Sequence, residues 1–345
     1  MKKCWSWFIL LAISLMILPI SATAKDLEVH AAYGKNTPFL WDSLMRVSKV
    51  LNEISEGAIK VTPYGAGEMV QTKDIFEAVS TGSIDAGWGF LVYWAGTEPV
   101  SNIAAVPFGA NPRLMAGWIF EGGGQEIIQR AYDNQNVVFI PAHITEPEPG
   151  GWFQKEINSP EDLKGLKMRI SGLGGKVLNK LGASAQILPA GDLFLALERG
   201  RIDATEFSLP VIDKGFGFNK IAKYYYYPGW HQPSSLDGLI INKKVWEKFS
   251  SHEQALIRIV CRDNAFWAVN TAAAAQMKYI SEFEETGVQV KRFPDSVLTA
   301  LRNASKEVVS AEAAKDPYFK EAYESLQAYI ESVGRWDSLQ QLPRN

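Results

Sequence analysis

The chain has 345 residues, 47% of them hydrophobic and 21% charged, and a formal net charge of −3 at pH 7. That composition fills one large core or two smaller ones and excludes a disordered or fibrous chain. The mild acidity excludes a binder driven by positive charge toward nucleic acid or an anionic membrane.

Lys2 and Lys3 open the chain, an apolar run follows from Trp5 to Ile20, and Ser21-Ala22-Thr23-Ala24 closes it. A positive start, a short apolar stretch and an A-x-A site form a secretory leader. The run is short for spanning a bilayer. We therefore expect residues 1–24 to be removed on export, with Lys25 as the new N-terminus. Losing two lysines and no acid takes the formal charge from −3 to −5. Cys4 precedes the apolar run instead of marking the cleavage point, so no lipid anchor is expected. Cys261 is then the only cysteine left, which precludes an internal disulfide and fits a small core residue.

After the leader, Leu27 to Ala32 alternates as a strand. Leu40, Leu44, Val47, Leu51 and Ile54 recur at helical spacing, and Gly57 ends that helix. Ile59 to Pro63 is a second strand and Ile84 to Gly87 a third. Helices are expected over Pro112 to Phe120 and Gly124 to Tyr132, then a strand over Val137 to Pro141. Glu146 to Gly151, rich in Pro and Gly, marks a crossing between lobes. Ser159-Pro160-Glu161-Asp162 is a helix start. Lys167 to Ile170 is a strand, Gly174 to Leu181 a helix, and Ala185 to Leu188 a strand. Tyr224 to Tyr227 is β-prone, and Leu236 to Asn242 is a further strand and a second crossing. Over His252 to Thr286 the pattern stays helical, with Leu256, Ile259, Val260, Phe266, Trp267 and Met277 as apolar positions. Val288 to Phe293 is a strand, and two helices close the chain. Strands alternating with helices predict α/β layers with largely parallel sheets.

One unit occurs twice. Asp74-Ile75-Phe76-Glu77-Ala78-Val79-Ser80-Thr81-Gly82-Ser83-Ile84-Asp85-Ala86 returns as Asp192-Leu193-Phe194-Leu195-Ala196-Leu197-Glu198-Arg199-Gly200-Arg201-Ile202-Asp203-Ala204. Each copy is an amphipathic helix, a Gly stop and a short buried strand. A repeated unit predicts two similar α/β lobes with a ligand cleft between them. The expected division is lobe I over 25–147 with 237–270, lobe II over 148–236 with 271–315, and a helical segment over 316–345.

No Gly-x-Ser-x-Gly elbow, His-Glu-x-x-His pair or phosphate loop occurs. The four histidines are scattered, none at ligand spacing. Ligands of open α/β sheets lie beyond the carboxyl ends of strands. Trp88, Phe90, Tyr93 and Trp94 follow the first copy; Thr205, Glu206 and Phe207 follow the second; Arg169 ends the Lys167 strand. Arg169 suits a ligand carboxylate through two parallel N–H bonds, or a structural ion pair. Glu206 neutralises Arg169, holds a cation beside the anion, or simply sits on a solvated loop, which from placement alone is the better reading.

Pro160-Glu161-Asp162-Leu163-Lys164-Gly165-Leu166-Lys167-Met168-Arg169-Ile170, Gly200-Arg201-Ile202-Asp203-Ala204-Thr205-Glu206 and Tyr224 to His231 resemble the signature of the DctP family. These are the extracytoplasmic solute receptors of tripartite ATP-independent periplasmic (TRAP) transporters. Gly150-Gly151-Trp152-Phe153 and Ala105-Val106-Pro107-Phe108-Gly109 fit as well. The resemblance covers the exported chain and is nearest the branch that binds 2-oxo acids and lactate. It implies a periplasmic receptor that captures a small monocarboxylate and delivers it to TRAP membrane permease subunits. It assigns Arg169 to the substrate carboxylate. Glu206 and the backbone carbonyl of Phe207 are assigned to a bridging Ca2+ or Na+, and Tyr93 and Trp94 to the pocket wall. Where that branch usually carries Trp, this chain has Phe207. A polar position, often Gln in that branch, falls on Glu148, which adds a second negative charge at the substrate and metal site. Some members dimerise through a swapped C-terminal helix, so a homodimer is among the implied assemblies. The alternatives carried alongside are a ligand-sensing subunit for a membrane kinase and an enzyme on the same scaffold.

Overall fold

A computed structural model describes residues 24–340; apart from Ala24, the expected leader lies outside the described residues. Among the described residues eleven strands form: β1 (Lys25–Ala31), β2 (Ile59–Tyr64), β3 (Ala86–Phe90), β4 (Val137–Thr145), β5 (Gly151–Phe153), β6 (Lys167–Arg169), β7 (Ser184–Gln186), β8 (Ala204–Thr205), β9 (Tyr224–Tyr227), β10 (Ser235–Asn242) and β11 (Gln289–Arg292). They build two sheets, ordered β2-β1-β3-β10-β4 and β11-β9-β5-β8-β6-β7.

The repeat is the start of each sheet. β1 lies between parallel β2 and β3, as β6 lies between parallel β7 and β8. The helices of the two copies, Ile75–Thr81 and Leu193–Glu198, run into Gly82 and Gly200, whose φ angles of 76° and 67° favour glycine. The repeated aspartates have one task. Asp85 Oδ2 accepts from Glu28 N–H at 3.5 Å, and Asp203 Oδ2 from Lys167 N–H at 3.0 Å. Each N–H sits one residue before the strand pairing begins, at Val29–Ala86 and Met168–Ala204, and needs a partner from outside the ladder.

Neither sheet is wholly parallel. β10 runs antiparallel between β3 and β4, and β5 antiparallel between β8 and β9. The chain leaves the first sheet over residues 146–150 and returns over 228–234. Each crossing reverses its direction and inserts such a strand. The helix expected from Ser159-Pro160 is only the 3-10 turn Pro160–Leu163.

The helix Ser251–Glu285 serves both lobes. Asn264 donates to Ala142 O at 2.8 Å on β4, and Gln276 Oε1 accepts from Val211 N–H at 3.3 Å in the second lobe. Its buried face is Ile257, Val260, Cys261, Ala265, Ala268, Ala272 and Phe283. Ile259, Phe266 and Met277, apolar positions of the predicted helical pattern, are instead 61, 74 and 65% exposed. The alanines explain the difference. Small side chains bring the helix close to β4 and turn the bulky residues between them outward.

The second lobe has its own core around Trp152, Leu193, Phe218, Tyr225 and Phe283. The last helix, Pro317–Leu339, packs on the first lobe through Phe319, Ala322 and Leu326, and Trp118 donates its indole N–H to Ser325 Oγ at 3.1 Å. Among the described residues no helix is long and apolar enough to cross a membrane.

Candidate functional site

β6 ends at Arg169, paired with Thr205 at the end of β8, so Arg169 and Glu206 emerge together at the carboxyl edge of parallel strands. Glu206 N–H donates to Arg169 O at 3.1 Å. In return the Arg169 Nη1 donates to Glu206 O at 2.7 Å and to its Oε1 at 3.0 Å. Both side chains are deeply buried, 4% and 1% exposed. The guanidinium also lies 5.4 Å from the Phe207 ring. Ser171 precedes the helix Gly172–Lys180 but does not cap it with its side chain. Its N–H donates to Glu206 Oε1 at 2.7 Å, and its hydroxyl faces Glu206 Oε1 at 3.3 Å and Gln232 Oε1 at 3.4 Å.

The two crossings supply the other half. Glu148 lies in the first, His231 and Gln232 in the second. Two glycines allow the approach. A Cβ at Gly229 would stand 1.9 Å from Glu148 O, and one at Gly174 would stand 2.9 Å from His231 Cβ. His231 Nε2 is 3.7 Å from Glu148 Oε2 and 3.8 Å from Glu206 Oε2. The three residues are buried and can present ligand atoms within 4.8 Å of one another. Glu148 Oε2, Glu206 Oε2 and His231 Nε2 have no hydrogen-bond partner among the described residues. Unpartnered buried oxygens are costly unless something occupies the point they share, and two carboxylates suit a hard cation there. The donor set therefore fits a bound cation. His231 is the member that sequence spacing missed. It belongs to the Tyr224–His231 run, but only the crossing brings it to the carboxylates.

Burial by itself would lower the His231 pKa; Glu148 and Glu206 outweigh it and push the imidazole up to about 9. Burial likewise works against ionised Glu206, yet Arg169, His231 and the Ser171 N–H hold it below the ordinary carboxylate range. Burial raises the Glu148 carboxyl, an effect His231 partly offsets and the charge of Glu206 reinforces. The His231 shift predicts a pH-dependent stability. The imidazolium's contribution is complete below about pH 6.5, where the unfolded chain is also protonated, and is lost as pH rises through about 9. Without added ligand or metal, the melting temperature should fall across that interval. His231→Gln should flatten the fall; an unchanged slope in thermal denaturation would show that this group is not responsible.

A cavity of about 20 Å³ lies between the lobes, with Tyr33, Phe90 and Tyr93 on one side and Glu148, Phe207 and Gln232 on the other. That is room for about one water. Tyr93 is on the wall, edge-on to Tyr33 and Phe90. Trp94, expected beside it, points instead into the first lobe. Its ring lies near Phe76 and its N–H donates to Thr72 O at 3.0 Å. The short helical turn Leu91–Trp94 separates the two neighbours, one facing the cavity and one the core. Trp88 is also core, fully buried on β3.

The model of the bacterial extracellular solute-binding protein family 7, DctP, matches residues 31–316. The chain belongs to this family. A relative from Nostoc sp., a monocarboxylate 2-oxoacid-binding periplasmic protein, is 35% identical over 86% of this chain and 82% of its own length. Two solved TRAP periplasmic solute-binding proteins share the fold. The one from Colwellia psychrerythraea, with bound calcium and pyruvate, is 33% identical with a TM-score of 0.88, covering 92% of this chain and 97% of that one. The one from Pseudoalteromonas atlantica, with bound sodium and pyruvate, is 32% identical with a TM-score of 0.87 over the same shares. The DctP protein described here is thus an extracytoplasmic, two-lobed solute receptor and not an enzyme.

Proposed function

We propose that this receptor captures a small monocarboxylate, a 2-oxo or 2-hydroxy acid, together with Ca2+ or Na+, and delivers it to a TRAP membrane permease. The observation that carries this reading is the buried Arg169 beside unpartnered oxygens of Glu148 and Glu206, at the cleft between two lobes. Arg169 turns part of its hydrogen bonding from Glu206 to the ligand carboxylate, as the planar fork of a guanidinium permits. Glu206, Glu148 and the backbone carbonyl of Phe207 hold the cation. Its charge offsets that of the carboxylates and so admits an anion next to Glu206. Tyr93 and Phe207 close the walls. The crossings 146–150 and 228–234 and the long helix Ser251–Glu285 connect the lobes, and their closure is the shape the permease reads. The 2-oxo acids bound by similar proteins support this ligand class.

The test is a thermal-shift and calorimetric titration with pyruvate and lactate after dialysis against a chelator, with Ca2+ or Na+ then restored. Ligand that binds only the folded form raises the melting temperature. We expect a clear rise with acid and cation together and a loss of at least tenfold in affinity without the cation. No response to any small oxo or hydroxy acid would sink the reading. Unchanged affinity after chelation and sodium removal would sink the cation bridge alone.

A further inference from the structure

The cavity has a second carboxylate besides Glu148. Asp237 sits on β10 beside Phe90 of β3, lines the cavity from the first lobe and is 2% exposed. No lysine, arginine or histidine among the described residues forms an ion pair with it. Its Oδ2 accepts from the Tyr33 hydroxyl. That hydroxyl in turn accepts from Phe90 N–H at 3.1 Å. The backbone N–H occupies a Tyr33 lone pair and leaves its proton for Asp237. Tyr33 is therefore a fixed donor, and Asp237 is held as an acceptor. The other oxygen, Oδ1, receives no hydrogen bond from a described residue. Thr145 and Ser235 place hydroxyls on the same wall, and Leu40 and Phe90 complete it.

An acceptor built this way is costly to close over unless the ligand supplies a donor. An alkyl tail leaves Oδ1 unpaired when the lobes shut, whereas a hydroxyl completes the pair. We propose that Asp237, oriented by Tyr33, is a specificity-determining residue that selects small carboxylic acids bearing a hydroxyl at the end remote from the carboxylate. This rests on the proposed carboxylate site at Arg169 and names the ligand class within it. Burial pushes the Asp237 carboxyl up to about 7, with Tyr33 opposing and the charge of Glu148 adding, as expected of an acceptor short of donors.

The experiment compares pyruvate with 3-hydroxypyruvate, and lactate with glycerate, by calorimetry with Ca2+ present. The probes in each pair differ by one hydroxyl. The parent protein should bind the hydroxylated member about tenfold tighter or more, the value of one hydrogen bond to a buried charged acceptor. Asp237→Leu should lose that preference, whatever its absolute affinity for pyruvate, while Asp237→Asn, which keeps an acceptor oxygen, should retain part of it. Equal affinities within each pair, or a preference that survives in Asp237→Leu, overturn the proposal and leave the carboxylate site standing. If neither Asp237 variant folds, the parent's own preference decides. Failure of the parent to bind any of the four acids overturns the carboxylate reading, and this inference with it.

Discussion

Arg169→Ala should lose at least about thirtyfold in affinity for any carboxylate ligand. Removing one member of a buried, hydrogen-bonded charge pair costs about 2–5 kcal/mol, and each 1.4 kcal/mol is tenfold. The same substitution touches the fold. Arg169 contacts both the backbone carbonyl and the carboxylate of Glu206, and neither side chain sees solvent. Alanine leaves Glu206 with only Ser171 and His231 as compensation. Such an uncompensated buried charge is expensive, so the variant should also melt earlier, by about 3 kcal/mol of stability. Arg169→Lys separates the two effects. It restores the charge but not the planar pair of donors, and should recover more of the stability than of the affinity. Calorimetry beside circular dichroism reads both. A folded Arg169→Ala protein with parental affinity would remove Arg169 from the binding machinery.

Glu206→Gln should abolish the dependence of binding on Ca2+ or Na+. The amide keeps the shape and one acceptor oxygen for Ser171 N–H, but removes the charge that makes the oxygen pair near Glu148 and His231 attractive to a cation. It also releases Arg169 from its internal partner. Some cation-independent binding of the acid is therefore expected to persist, weaker than in the parent. The measurement is affinity against cation concentration for both proteins. A Glu206→Gln titration that still climbs with calcium or sodium as the parent's does would mean that the cation is held elsewhere.

The two effects oppose each other in an informative way. Arg169 and Glu206 neutralise one another across 3.0 Å in the described structure, as the ion-pair reading of Arg169 requires. Under the proposed function, ligand binding asks the same guanidinium to serve an external carboxylate, and the cation then takes over the charge balance of Glu206. The ion pair is thus the observed alternative, and the carboxylate and cation roles belong to the proposal.

Much of this was legible in the chain. The repeated helix–Gly–strand unit gave the paired α/β starts of the two sheets, because the period of its apolar residues and its two glycines act locally. Arg169, Glu206 and Phe207 were legible because strand ends are set by short-range pattern, and the ends of neighbouring parallel strands are where sites form. Tyr93 and Trp94 show the limit. Both are aromatic and adjacent, and only the turn after β3 decides which faces the cavity. The long helix shows a related limit. Hydrophobicity ranks Phe266 above Ala268, but close packing against β4 requires the smaller residue.

By itself, then, the sequence determined the two-lobed class, the repeat and the arginine and glutamate at the strand ends, all of which follow from local periodicity and turn chemistry. Only the tertiary structure brought His231 and Asp237 to the same cleft and joined them to Glu148, which the family resemblance had already assigned there. Those three come from the two crossings and a returning strand, and their meeting depends on how the chain passes between lobes and on glycines that let backbone lie against backbone. Contacts of that kind join residues far apart in sequence, and no local pattern encodes them.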